Sequence, residues 1–129
     1  MNQTSAGTRR STEYRIESLL RTAIFVTDRG SQERFEKTWQ PDQAGRYATL
    51  GARATLHDLP KGMAPRLLGR IVDSWRNQGW LLDAGDTGAQ ANTPDGYRLT
   101  VDIDADSLVV AGSSPRVAVA AEPTTPQIA

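Results

Sequence analysis

Apolar residues along this chain fall into two periods, one helical and one of strand type, that follow one another in a simple order. From Glu13 onward Ile16, Leu19, Leu20, Ala23 and Ile24 recur at three and four residues, which predicts a first helix over 12–28 with Ser11 or Thr12 as N-cap and Gly30 just past the end. Phe35, Lys37 and Trp39 then alternate with Glu36, Thr38 and Gln40 until Pro41 and Asp42, the mark of a brief strand with one buried face. Between Arg46 and Leu56 the set Ala48, Leu50, Ala52, Ala54 and Leu56 alternates with bulkier or polar neighbours. A longer strand is expected there, its small inward residues leaving room for a helix to lie close.

After the turn Leu59-Pro-Lys-Gly62, the residues Ala64, Leu67, Leu68, Ile71, Val72 and Trp75 repeat at helical spacing. Pro65 suits the first turn of a helix and Gly79 its exit, so a second helix is predicted over 63–78. Trp80–Asp83 and Ala89–Asn92 read as strands around a turn at Gly85–Gly88. Thr93-Pro-Asp-Gly96 is a further turn, because proline presets φ and glycine accepts positive φ. Tyr97, Leu99, Val101 and Ile103 share a face of the next strand, and Asp104–Asp106 turns the chain into Leu108–Ala111. The expected fold is α+β: two amphipathic helices packed on one face of an antiparallel sheet of about five or six strands. Residues 1–10 lack any period and read as a disordered leader, 11–117 as a single domain, and 118–129, with prolines at 123 and 126, as a flexible tail.

Charge narrows the range of partners. Fifteen basic and fifteen acidic residues cancel, so no net field draws the chain to nucleic acid or an anionic membrane, and no segment reaches the roughly 20 apolar residues of a membrane span. Thirteen of the basic residues are arginines, a bias that genome base composition explains. There is no cysteine, which excludes disulfides, thiolate metal sites and thiol nucleophiles. The Arg9-Arg10 pair is not followed by an apolar run of signal-peptide type, so a cytoplasmic location is expected, or export if a leader has been trimmed.

Few residues invite chemistry. His57, the lone histidine, is next to Asp58, but adjacent strand residues point to opposite faces and a strand-end turn accounts for the pair. Asp102, Asp104 and Asp106 have the spacing that opens a calcium loop, yet Ser107 and Ser113 occupy the positions of its glycine and final glutamate. A solvated hairpin turn explains them, and no metal or cofactor is expected. Ser113-Ser114 lacks a nucleophile elbow, and Gly62-Met-Ala-Pro and Gly85-Asp-Thr-Gly88 lack the Lys-Ser/Thr ending of a phosphate loop. Arg66 and Arg70 lie one turn apart on the outward face of the second helix, where they could grip a phosphate or a carboxylate of a partner. Trp75, Trp80 and Tyr97, with Trp39, could instead floor a small-molecule pocket between the second helix and the sheet.

The stretch Ile71-Val-Asp-Ser-Trp-Arg-Asn-Gln-Gly-Trp80, with Thr93-Pro-Asp-Gly-Tyr-Arg-Leu99 and Gly112-Ser-Ser-Pro115, resembles a family of small uncharacterised actinobacterial proteins. Members often end the last strand in Ser-Pro-Cys-Val, where this chain has Arg116 in the cysteine position, and some look like exported lipoproteins. The resemblance covers about 64–117 and implies an α+β fold without an activity. With no coherent catalytic constellation, the expectation is a non-catalytic module, of accessory or immunity type, that holds another protein and binds neither nucleic acid nor membrane. The alternatives are the small-molecule pocket and an enzyme built on His57, Asp58 or the aspartate cluster.

Overall fold

The computed structural model of the chain describes residues 5–27 and 33–119. The element order is α1 (Ser5–Phe25), β1 (Glu33–Pro41), β2 (Tyr47–Leu56), α2 (Met63–Asn77), β3 (Leu81–Ala84), β4 (Gly88–Asn92), β5 (Arg98–Asp104), β6 (Ser107–Ser113) and β7 (Val117–Ala118). Every pairing is antiparallel, in the order β1-β2-β6-β5-β4-β3, and β7 adds to β2. This is the α+β architecture expected from the sequence: two helices on one face of an antiparallel sheet, with β7 joining the six strands of the main path.

The inner face of the sheet is set by alternation. Leu50, Ala52, Ala54 and Leu56 on β2, Leu99 and Val101 on β5, and Leu108 and Val110 on β6 are all buried in one cluster with Ile16, Leu20 and Ile24 of α1 and Leu67 and Ile71 of α2. α1 lies over β2, β6 and β7, and α2 over β3–β6. One row of the register explains the small residues: Ala52 pairs with Gly112, Gly112 with Leu99, and Leu99 with Ala91. A β-carbon on Gly112 would stand 2.9 Å from Leu99 Cδ2 and 3.1 Å from Leu20 Cδ1, so the absent side chain is what admits Leu20 to the sheet.

Boundaries at the start of α1 and near the C-terminus depart from the sequence reading. α1 begins at Ser5, inside the expected leader, so residues 5–10 are helical. Thr12 is not a cap: its hydroxyl donates to the Thr8 carbonyl at 2.8 Å, as a threonine does within a helix. Tertiary contact supports the added turns, since Arg9 stacks over the Trp39 ring at 5.3 Å. The strand β7 was not foreseen, two residues being too few to show alternation, and it carries ordered pairing to Ala118 at the start of the expected tail. Gly30 and the rest of the tail, 120–129, lie outside the described residues.

Ser114 makes the change of partner along β2 possible. β2 pairs with β6 from Gly51 to Leu56 and with β7 at Tyr47 and Ala48, leaving Leu50 at the junction. There the Leu50 N–H donates to the Ser114 hydroxyl at 2.9 Å, the hydroxyl donates to the Pro115 carbonyl at 2.7 Å, and the Ser114 N–H donates to the Leu50 carbonyl at 2.9 Å. The site is buried, so every polar group must find its partner within the protein. Ser114→Ala leaves the Leu50 N–H without an acceptor and should lower unfolding stability by about 1–3 kcal/mol. Urea denaturation measures this loss, and Ser114→Thr, which keeps the hydroxyl, should recover much of it.

Candidate functional site

The helical hydrogen-bond ladder of α1 places two aromatic side chains away from the core. At about 100° per residue Tyr14 and Phe25, three turns apart, fall on one face, diametrically opposite Ile16. They are 75% and 80% exposed; among the described residues the other large apolar side chain so exposed is Leu81, at 76%, on the edge strand β3. A shallow basin of about 480 Å³ separates the two rings, with Glu17, Ser18, Arg21 and Thr22 on its surface. Glu17 is paired with Arg21 at 3.3 Å and Lys37 at 4.0 Å.

Ser18 and Thr22 are shared with a second, deeper depression. This cleft of about 350 Å³ runs between α1, the last turn of α2 and the β4–β5 turn, and Trp75, Trp80 and Pro94 supply its apolar wall. Ser74 and Gln78 add polar groups on the α2 side. At its end Arg15 donates to Asp95 at 2.9 Å through Nε and at 3.3 Å through Nη2.

Arg15 is held in place by the turn it meets. The Thr93 N–H donates to the Tyr97 carbonyl at 2.9 Å and the Gly96 N–H to the Thr93 carbonyl at 3.0 Å, with Gly96 at φ 93°, as the Pro-Asp-Gly order requires. The Thr93 hydroxyl donates to Asp95 at 2.6 Å and accepts the Tyr97 N–H at 3.0 Å. Asp95 therefore presents a fixed carboxylate, and the Arg15 guanidinium holds its carboxyl below the usual range, against a smaller opposing effect of burial. The Tyr97 phenol is pushed up chiefly by burial, which the neighbouring Thr12 hydroxyl partly opposes.

The residues singled out in the sequence are distributed differently. Trp75 is buried with one surface on the cleft, and Trp80 is half-buried at its rim. Tyr97 is buried beneath Arg15, whose guanidinium lies 5.9 Å from the ring centre, and does not line the cleft. The cleft thus lies between the two helices instead of between α2 and the sheet, because α1 packs low enough to supply one wall. Arg66 and Arg70 are exposed on α2 and form no ion pair among the described residues, whereas Asp73 on the same face is taken by Arg76 at 3.3 Å. His57 and Asp58 form no dyad: Asp58 is exposed at φ 54°, and His57 Nε2 is buried without a hydrogen-bond partner among the described residues. Asp102, Asp104 and Asp106 are exposed, and no three carboxylate or imidazole groups are grouped for a metal ion among the described residues. No helix among them is long and apolar enough to cross a membrane.

Tyr14 and Phe25 went unnoticed in the sequence, although their signal was present as two aromatics on the polar side of a helix. Arginines cover many of the other rings: Arg9 over Trp39, Arg15 over Tyr97, Arg21 over Phe35 and Arg116 over Tyr47, at 4.5–5.9 Å. Among the described residues no guanidinium covers Tyr14 or Phe25.

The Arg15–Asp95 pair has a defined pH signature. A lowered carboxyl pKa contributes stability that is complete above the unfolded value near pH 4 and is lost as pH falls through the folded value. Both side chains are roughly half exposed, which limits the contribution to at most about 1 kcal/mol. Arg15→Gln should therefore melt below the wild type by a constant margin between about pH 5 and 7, and the margin should close in acid below about pH 4. Thermal melts across that range check it.

Comparison with known proteins matches the chain to no family model, no curated protein and no solved structure.

Proposed function

We propose that this protein is a non-catalytic interaction module that holds another protein chain on the outward face of α1. The observation that carries this reading is the pair of bare aromatic rings, Tyr14 and Phe25, flanking a basin and contiguous through Ser18 and Thr22 with the tryptophan-walled cleft. Exposed aromatic side chains on a rigid helix supply contact area at small entropic cost and are enriched among residues that dominate binding energy. Arg66 and Arg70 of α2, which form no ion pair among the described residues, offer charge contacts at the periphery of such a complex.

A photo-reactive phenylalanine analogue placed at position 14 or 25 in cells of the native host tests this. Irradiation should give an adduct of discrete mass from both positions and none from position 100, on the outer face of the sheet. Equal, diffuse labelling at all three positions would remove the reading.

A second reading is favoured by the cleft itself: its volume suits a small ligand with a flat apolar part to lie against Trp75 and Trp80 and polar groups for Ser74 and Gln78. Trp80 at the rim would report occupancy, so a panel of aromatic metabolites should shift tryptophan emission saturably in the wild type and not in Trp80→Phe. Absence of any saturable shift up to millimolar ligand would dismiss it.

A further inference from the structure

Two pairs of polar side chains, each pair one turn apart on its helix, line the cleft between the helices: Ser18 and Thr22 on α1, Ser74 and Gln78 on the side of α2. A serine or threonine inside a helix often returns its hydroxyl to the carbonyl one turn back, as Thr12 does to Thr8. None of these four side chains hydrogen-bonds to another described residue. Three hydroxyls and a carboxamide therefore have donors and acceptors to offer, and none of them carries charge.

The ionisable side chains that line the cleft among the described residues are Arg15 and Asp95, and each neutralises the other. Arg15 is fixed from two directions, since Nε and Nη2 both donate to Asp95 and the Tyr97 ring lies beneath its guanidinium. Asp95 is held in turn by the Thr93 hydroxyl. A charged ligand group entering here would leave water without meeting a free counter-charge. A neutral group that both donates and accepts would find a match on either helix.

We infer that the cleft takes an uncharged planar ring bearing an amide-type group, the class of aromatic carboxamides and lactam heterocycles. The inference rests on the reading of the cleft as a ligand site and adds the charge and polar group of the ligand. Trp80, half-buried at the rim, and Pro94 supply the wall for the ring, with the buried Trp75 behind them. The ligand amide matches the carboxamide of Gln78, which presents the same donor and acceptor in the opposite order, and the hydroxyls of Ser18, Thr22 and Ser74 can serve as either. A volume of about 350 Å³ is at the small end of ligand sites, which suits a ligand of one or two rings.

Benzamide, benzoate and benzamidine are near-isosteric probes that are neutral, anionic and cationic at about pH 7. Titrated into the full chain and followed by ligand-observed NMR, benzamide should bind saturably with a dissociation constant at least about tenfold below those of the other two. Gln78→Met, which keeps the length of the side chain and removes its amide, should raise the benzamide constant by roughly fivefold, the effect of one neutral hydrogen bond, at an unchanged melting temperature. Arg15→Gln leaves the Asp95 carboxylate uncompensated and should bring benzamidine ahead of benzamide. Benzoate or benzamidine ahead in the wild type would overturn the inference, the former by showing that Arg15 gives up Asp95 for an anion. A benzamide constant unmoved by both Gln78→Met and Ser74→Ala would also overturn it. Equal binding of all three probes would mean that the ring alone is recognised, which overturns the inference and leaves the cleft as a ligand site. Binding of none of them at the solubility limit would end both.

Discussion

The close approach of α1 to the sheet at Gly112 is the constraint on which the remaining geometry depends. Leu20 occupies space that a β-carbon on Gly112 would deny it, and Ala52 and Ala54 on β2 keep the neighbouring floor shallow. A helix lying this low buries Ile16, Leu19, Leu20, Ala23 and Ile24 together. It also brings its flanks within reach of strand β1 on one side and the β4–β5 turn on the other: Trp39 Nε1 donates to Glu13 at 2.7 Å, and Arg15 meets Asp95. The cleft between the helices and the outward position of Tyr14 and Phe25 are consequences of the same placement, since turning the apolar stripe down turns the opposite face up.

Strand β2 carries the second part of the argument. It pairs with β1 along its length and with β6 and then β7 on its other side, so it is the strand through which most of the sheet is connected. An antiparallel strand that changes neighbours must leave some backbone groups between ladders, and in a buried position they need a local substitute. Ser114 is that substitute. Similarly, Thr93 closes the β4–β5 turn with its hydroxyl while fixing the aspartate that receives Arg15. Two of the patterns singled out in the sequence, around Thr93–Leu99 and Gly112–Pro115, thus have hydrogen-bonding tasks in the fold.

Much of the architecture could be read from the chain because it is governed by local periods. The six apolar positions of α2 are buried as their spacing demanded, and the alternation on β2 and β5 assigns each side chain to its face. The start of α1 could not be read in this way. Residues 5–10 have no apolar period of their own, and the extension is supported by contacts such as Arg9 on Trp39, whose partner is a strand away in sequence. The position of the cleft was likewise hidden, because Trp75 and Trp80 identify themselves as aromatic without revealing which helix will face them. Tyr97 illustrates the converse: its alternation with Leu99 and Val101 already assigned it to the inner face, where burial left no surface for a ligand.

The distribution of arginine over the aromatic rings bears on function more than their numbers do. A guanidinium stacked on a ring shields apolar surface while keeping its charge hydrated, so it is an economical way to make an exposed aromatic compatible with water. Phe35, Trp39, Tyr47 and Tyr97 each receive one. Arg21 lies within the same stretch of α1 as Tyr14 and Phe25, yet it turns down to Phe35 and Glu17 instead of covering either. Two exposed rings on a helix three of whose arginines stack on other rings are costly to leave in water. The same arrangement that withholds Arg21 from its neighbours leaves it beside Glu17 at the edge of the basin, so paired charge and exposed apolar area lie together on one rigid element.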